Sequence, residues 1–138
     1  MSQSIDDAKF EIRDPVHGFV RLTEREVSIV NTPVFQRLRD IRQLAVAHFV
    51  YPGATHSRFE HSLGCVQLTV DMYDHLLAQQ HRSVGASFTE AFSISASAVD
   101  RGRTLLRLAA LLHDIGHCAF SHSGEFVMPD DTFDGNKR

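Results

Sequence analysis

Near the start of the chain, Phe10-Glu11-Ile12 and Phe19-Val20-Arg21-Leu22 alternate apolar with polar residues, and Asp14-Pro15-Val16-His17-Gly18 between them carries turn chemistry. Period-two alternation on both sides of such a turn predicts a short β-hairpin. The rhythm then becomes helical. Thr32 is a suitable N-cap, Pro33 fits the first helical position, and Val34, Leu38, Ile41 and Ala45 recur on one face. Tyr51-Pro52-Gly53-Ala54 should end that helix. A second helix is expected from near Glu60 to Gln80, with Leu63, Val66, Val70, Tyr73 and Leu77 inward, and a loop around His81 to Ala86. Ser87-Phe88-Thr89-Glu90 has the capping-box pattern of a further short helix. Arg101-Gly102 reads as an interruption. Thr104 to His117 follows as a helix apolar nearly all round (Leu105, Leu106, Leu108, Ala109, Leu111, Leu112), expected to be central and buried. After Met128 the periodicity is lost. The expected organisation is a flexible N-terminus over 1–9, one mainly α domain over 10–128, and a loop or frayed tail over 129–138.

Composition adds limits rather than detail. With 138 residues, 43% of them hydrophobic and 22% charged, the chain suits one globular domain. It has no apolar run of membrane-spanning length. A net charge of −3 argues against a general nucleic-acid binder. Met1 to Asp7 lacks the basic start and apolar stretch of a signal peptide. Cys65 and Cys118 form neither a disulfide framework nor a CxxC site, so a cytoplasmic location is expected.

The nine histidines change the picture, because six of them (His17, His56, His61, His113, His117, His122) fall in or beside Gly-containing segments. His113-Asp114 closes the apolar helix. A charged Asp there is costly unless paired or metal-bound, and an imidazole nitrogen beside a carboxylate oxygen suits a divalent cation. An HD dipeptide alone means little. Here His117 follows His113 at i+4, on the same face of the predicted helix, and Ser121-His122 can fold back with Glu125 three residues later. Three histidines and two carboxylates within thirteen residues are more than packing calls for. His61, in Arg58-Phe59-Glu60-His61-Ser62-Leu63-Gly64, supplies a third candidate ligand. Arg37, Arg39 and Arg42 read as solvated helix charges, with a basic face toward polyphosphate as the alternative, and His48, His75 and His81 read as ordinary surface or satisfied core residues.

His61 and the His113-Asp114 pair together resemble the HD superfamily, whose H…HD…D pattern holds one metal on a helical bundle. Longer strings narrow the likeness: Asp14-Pro15-Val16-His17-Gly18, Thr32 to Arg39, Ile41-Arg42-Gln43-Leu44, Arg58 to Gly64, His113-Asp114-Ile115-Gly116-His117 and Phe120-Ser121-His122 are similar to the deoxynucleoside triphosphate triphosphohydrolases. The resemblance implies an HD-domain helical bundle with a short N-terminal β-hairpin, and one divalent metal ion (Mg, Mn, Fe or Zn) held by His61, His113 and Asp114. It implies a nucleoside triphosphate substrate, with Arg58 on the phosphates, His117 against them, and Gln43 and Leu44 against the nucleoside. His122, backed by Glu125, would transfer a proton. These residue types suit the chemistry. A divalent ion polarises a phosphoryl oxygen and activates water, Arg and protonated His stabilise charge on the tripolyphosphate, and a carboxylate-oriented His moves protons near neutral pH.

The family's fourth ligand is an Asp on a later helix, whereas this chain ends 24 residues after Asp114. Asp130, Asp131 and Asp134 lie in the nonperiodic tail, so the bundle is expected to be truncated at the C-terminus as a fragment of a longer protein. The readings open on sequence are dNTP triphosphohydrolase, another HD-type phosphatase or phosphodiesterase, and a non-catalytic fragment or subunit that binds metal or nucleotide. Oligomeric assembly, or completion by a C-terminal segment, goes with the resemblance.

Overall fold

Two strands, β1 (Phe10–Asp14) and β2 (Gly18–Leu22), pair antiparallel with Ile12 opposite Val20. The Asp14 carboxylate accepts from the Val16 and His17 N–H groups at 2.9 and 2.7 Å, which folds the turn over its own first residue. Gly18 leaves that turn with φ +79°, a conformation that a side chain would strain. This is a computed structural model of the chain, and it describes residues 10–83, 94–120 and Gly124, with only the backbone path for 79–83. The helix expected at Ser87 and the tail beyond Met128 lie outside the described residues, as do residues 1–9.

Four helices follow. The first, α1 (Glu24–Val30), opens with a capping box in which Thr23 and Glu26 satisfy each other's backbone N–H groups. Next comes α2 (Pro33–Gln36), capped by Thr32 with Pro33 at its first position. The helix expected from Pro33 to the break at Tyr51 does not continue. Arg37–Asp40 tightens into a 3-10 turn, and Ile41 to Gln43 then pairs its backbone with residues 56–58. Arg58 N–H donates to the Ile41 carbonyl at 2.8 Å and Gln43 N–H to that of His56 at 3.1 Å. Non-local backbone pairing outweighs the local helical rhythm here, so Phe35, Leu38 and Ile41 turn inward while Val34 is left 55% exposed.

Helix α3 (Arg58–Ser83) starts with Ser57 and Glu60 bonded reciprocally as a second capping box. It continues to Ser83, into the segment expected as a loop around His81 to Ala86. Its Leu63 and Val66 are buried as expected. Helix α4 (Ala96–Leu112), capped by Ser95, passes straight through Arg101-Gly102. Gly102 is a packing position, not a break: a Cβ there would come within 2.9 Å of the Tyr73 hydroxyl, which bonds to the Val99 carbonyl. Nor is α4 buried all round, since Leu105 and Leu106 are exposed and its buried residues are Arg107 and Leu111. Among the described residues no helix is long and apolar enough to cross a membrane.

The core lies where the hairpin, α1, α2 and both long helices converge, on Val20, Leu22, Val30, Phe35, Leu38, Ile41, Phe59, Leu63, Val66 and Leu111. Phe35 meets Phe59 edge-to-face at 5.6 Å, and the Arg39 guanidinium lies over the Phe59 ring, 3.6 Å from its centroid. Arg37, Arg39 and Arg42 are exposed, as expected of solvated charges, and each also meets a partner in the chain: Arg37 donates to the Ile115 carbonyl and Arg42 to that of Thr55.

Inside this framework Arg107 reaches from α4 to the Glu26 carboxylate at 2.7 and 2.8 Å and to the Arg21 carbonyl at 2.7 Å. Burial by itself would raise the Glu26 pKa. The Arg107 and Thr23 hydrogen bonds and the Arg107 charge outweigh that effect and hold it below its ordinary 4.5. Arg107→Ala leaves that carboxylate buried without its cation, so the expected loss is about 3–5 kcal/mol, read from urea unfolding at unchanged slope. A depressed carboxylate pKa contributes stability above the unfolded value, and this is lost as pH falls through the folded one. Wild-type stability should therefore decline on acidification below about pH 4.5, and Glu26→Gln should remove this component of the decline.

Candidate metal centre

The end of α4 and the start of α3 bring together residues far apart in sequence. Asp114 lies in the turn just past α4, 6% exposed, and Arg58 is the first residue of α3, 2% exposed. Arg58 Nη1 stands 2.6 Å from Asp114 Oδ2, a charge-assisted bond that balances a carboxylate taken out of water. One turn into α3, His61 places Nε2 at 3.7 Å from the same oxygen. His113 and His117 each place Nε2 at 3.5 Å from Asp114 Oδ1. His61 and His113 face each other with their Nε2 atoms 3.2 Å apart.

His117 reaches this point by a route other than the one its spacing suggested. The helix stops at Leu112, and residues 113–116 form turns closed by Ile115 N–H on the Leu112 carbonyl and His117 N–H on that of Asp114. His113 and His117 thus converge on Asp114 from a turn rather than from one helical face.

The tautomer of His113 follows from its neighbours. Its Nδ1 is 2.8 Å from the Ala110 carbonyl, which can only accept, so Nδ1 carries the proton and Nε2 presents a lone pair to the centre. Burial lowers the His61 pKa below its ordinary 6.5. Asp114 opposes that shift, and the nearby His113, Arg58 and His56 reinforce it. The lowered pKa favours neutral His61 as a donor.

The distances test whether an ion fits. Two donors each about 2.0–2.2 Å from one ion lie roughly 3.3–3.6 Å apart at tetrahedral angles and about 2.9 Å apart at a right angle. The 3.2 Å between imidazole nitrogens and the 3.5 Å from His113 Nε2 to Asp114 Oδ1 fall within that range, while the 3.7 Å from His61 Nε2 to Oδ2, the oxygen that Arg58 holds, lies just beyond it. The donor set of imidazole and carboxylate suits a divalent cation, and the arrangement fits one.

The structure thus gathers Arg58, His61, His113, Asp114 and His117. Gln43 lies half-buried on the segment paired with residues 56–58, and Leu44 beside it is 51% exposed. His122 and Glu125 lie outside the described residues. Two features went unread in the sequence. A cleft of about 580 Å³ opens between the hairpin turn and α3, lined by Asp14, His17, His56, Glu60, His61 and Cys65 among others. Cys65 stands with its Sγ 3.6 Å from His61 Nε2, and the signal for it was available: it follows His61 by four residues on a predicted helix. Burial, and then the charge of Asp114, raise the Cys65 thiol pKa above its ordinary 9.0.

A helical frame that brings His61, His113 and Asp114 within 3.7 Å of one another agrees with a match to the HD domain over residues 58–137: the chain belongs to the HD-domain family. It is 39% identical over 118 residues to deoxynucleoside triphosphate triphosphohydrolase SAMHD1 of Homo sapiens, a match covering 84% of this chain and 17% of that protein. It is 35% identical over 127 residues to the SAMHD1 homolog of Dictyostelium discoideum, covering 92% of this chain and 22% of that protein. The chain therefore spans about a fifth of the length of these curated relatives. Among solved structures, a hypothetical protein from Aquifex aeolicus superposes with a TM-score of 0.63 at 36% identity, over 87% of this chain and 27% of that one.

The Arg58–Asp114 pair can be tested apart from any metal. Arg58→Met should cost about 3–5 kcal/mol by leaving Asp114 uncompensated, and adding Asp114→Leu should recover most of that loss, because an apolar pair needs no desolvation of charge. Urea unfolding of both variants in the presence of EDTA reads the difference.

Proposed function

We propose that this chain carries the metal-binding part of a phosphohydrolase that converts a deoxynucleoside triphosphate to deoxynucleoside and tripolyphosphate. The observation that carries the reading is the buried Asp114 carboxylate with two imidazole nitrogens at ion-sharing distance and Arg58 against it. Similarity to triphosphohydrolases over most of the chain supports the substrate class.

In this reading His61, His113 and Asp114 hold one divalent ion, whose identity among Mg, Mn, Fe and Zn is left to experiment. Such an ion supplies Lewis-acid polarisation of a phosphoryl oxygen and activation of water. Arg58 fixes the Asp114 carboxylate, and its expected contact with substrate phosphates would come in addition to that bond. His117, its Nε2 on the Asp114 side of the centre, bears on the phosphates. Gln43 and Leu44 meet the nucleoside. Water adds its oxygen to the α-phosphorus, the bond from that phosphorus to the 5′-oxygen breaks, and the 5′-oxygen takes a proton from His122, oriented by Glu125. The products are the 5′-hydroxyl and tripolyphosphate.

Products decide the matter. Chromatography of a dNTP digest with a divalent ion should show deoxynucleoside and tripolyphosphate in equal amounts. Deoxynucleoside monophosphate with pyrophosphate, orthophosphate release, or ion binding with no turnover would contradict the proposal. Asp114→Ala should abolish both bound metal and turnover. His122→Ala should retain the metal while turnover falls by roughly 10²–10⁴.

A further inference from the structure

The start of α3 and the turn after α4 are both tied to one short stretch of chain. Arg58 N–H donates to the Ile41 carbonyl at 2.8 Å, and Arg58 Nη1 lies 2.6 Å from Asp114 Oδ2. Ile115 follows Asp114, and its carbonyl accepts from Arg37 Nη2 at 2.7 Å. Arg37 opens the 3-10 turn that Ile41 ends. The three bonds therefore close a ring, from Arg37 to Ile115, from Asp114 to Arg58, from Arg58 to Ile41, and back along the chain. His61 lies three residues beyond Arg58 and His113 immediately before Asp114, so the ring joins both halves of the metal centre. Arg37 holds the link most open to disorder. Gly116 separates Ile115 from His117, and no described residue lies within 4 Å of the place a Cβ would take, so little restrains its backbone. The bonds that Ile115 and His117 N–H make to Leu112 and Asp114 are local and move with the turn. The Ile115 side chain packs against the core and fixes its own position. The Arg37 bond, from 78 residues away in sequence, fixes the direction of the peptide that leads on to His117.

We propose that Arg37 is a positioning residue of the metal centre, acting through the Ile115 carbonyl to hold His113, Asp114 and His117 in the arrangement that receives an ion. The proposal rests on His61, His113 and Asp114 forming that centre. Arg37 itself is no ligand. Its contribution is to order the turn before the ion arrives, so that less ordering is left to oppose binding. Partners that orient metal ligands from behind are worth about 10- to 100-fold in metal affinity.

Co²⁺ titration of the full 138-residue chain provides the test, because its visible d–d bands report both occupancy and coordination geometry. Arg37→Ala should bind Co²⁺ about 10- to 100-fold more weakly, with altered bands. In the metal-free variant the His117 amide should exchange with solvent at least about tenfold faster, while the Leu63 and Val66 amides of α3 keep their rates. Arg37→Gln, polar but too short to reach Ile115, should behave in the same way and serves if the alanine variant is unfolded. Arg37→Lys, which keeps a cationic donor on that side, should recover part of the affinity. Arg103→Ala, which loses an ion pair with Asp74 farther along the same two helices, should leave Co²⁺ affinity within about twofold. Urea unfolding gives the stability of each variant. Wild-type affinity and bands in Arg37→Ala and Arg37→Gln, or a weakening that Arg103→Ala shares in proportion to its lost stability, would overturn the role of Arg37 and leave the centre standing. No Co²⁺ bound to the wild type, or binding unaffected by His113→Ala, would overturn the centre and this proposal with it.

Discussion

Asp114 sits 6% exposed where α4 ends and α3 begins, and its carboxylate is held 2.6 Å from Arg58. A carboxylate in that position is unstable without a cation, and the first residue of the neighbouring helix provides one. Three imidazoles take their places around this bond. His61 follows Arg58 by three residues along α3, His113 immediately precedes Asp114, and His117 closes the turn that begins with it. The ion pair fixes how the foot of one long helix meets the head of the other, and through them which nitrogens share a point in space.

A second buried pair steadies the same helix. Arg107 lies seven residues before Asp114, two turns or roughly 10 Å up the axis, and binds Glu26 and the Arg21 carbonyl. Helix α4 is thus braced against α1 and the hairpin at one level and against α3 at another, with Leu111 in the core between them. Arg37 adds a bond to the Ile115 carbonyl in the turn that carries the histidines. Donors that must meet an ion within a few tenths of an ångström gain from such bracing, because less ordering is left for the moment of binding.

Local chemistry in the sequence was informative where local forces decide the outcome. The hairpin followed from alternation around Asp14 to Gly18, the cap at Thr32 from its hydroxyl beside Pro33, and the grouping of His61, His113 and Asp114 in space from residue type and spacing. The failures share a physical cause. Val34, Leu38, Ile41 and Ala45 have helical spacing, yet Ile41 to Gln43 pairs with residues 56–58, a contact that no local window contains. Gly102 resembles a break, but it is where Tyr73 crosses closely. Arg107 lies within an apolar stretch, and its partner is 81 residues away in sequence. Some signals were present and unused: Thr23 and Glu26 spell a capping box ahead of α1, and Cys65 stands one turn from His61.

The site draws together imidazole, carboxylate and guanidinium from the start of α3 and the turn after α4, and the proposed phosphoryl chemistry depends on an ion lying between those donors. A crystal grown with Mn²⁺ and measured for anomalous scattering addresses this directly. The account predicts one strong peak about 2.0–2.3 Å from His61 Nε2, His113 Nε2 and an Asp114 carboxylate oxygen. An anomalous map with no peak there, or with its manganese elsewhere and Asp114 still bonded to Arg58 alone, would contradict it.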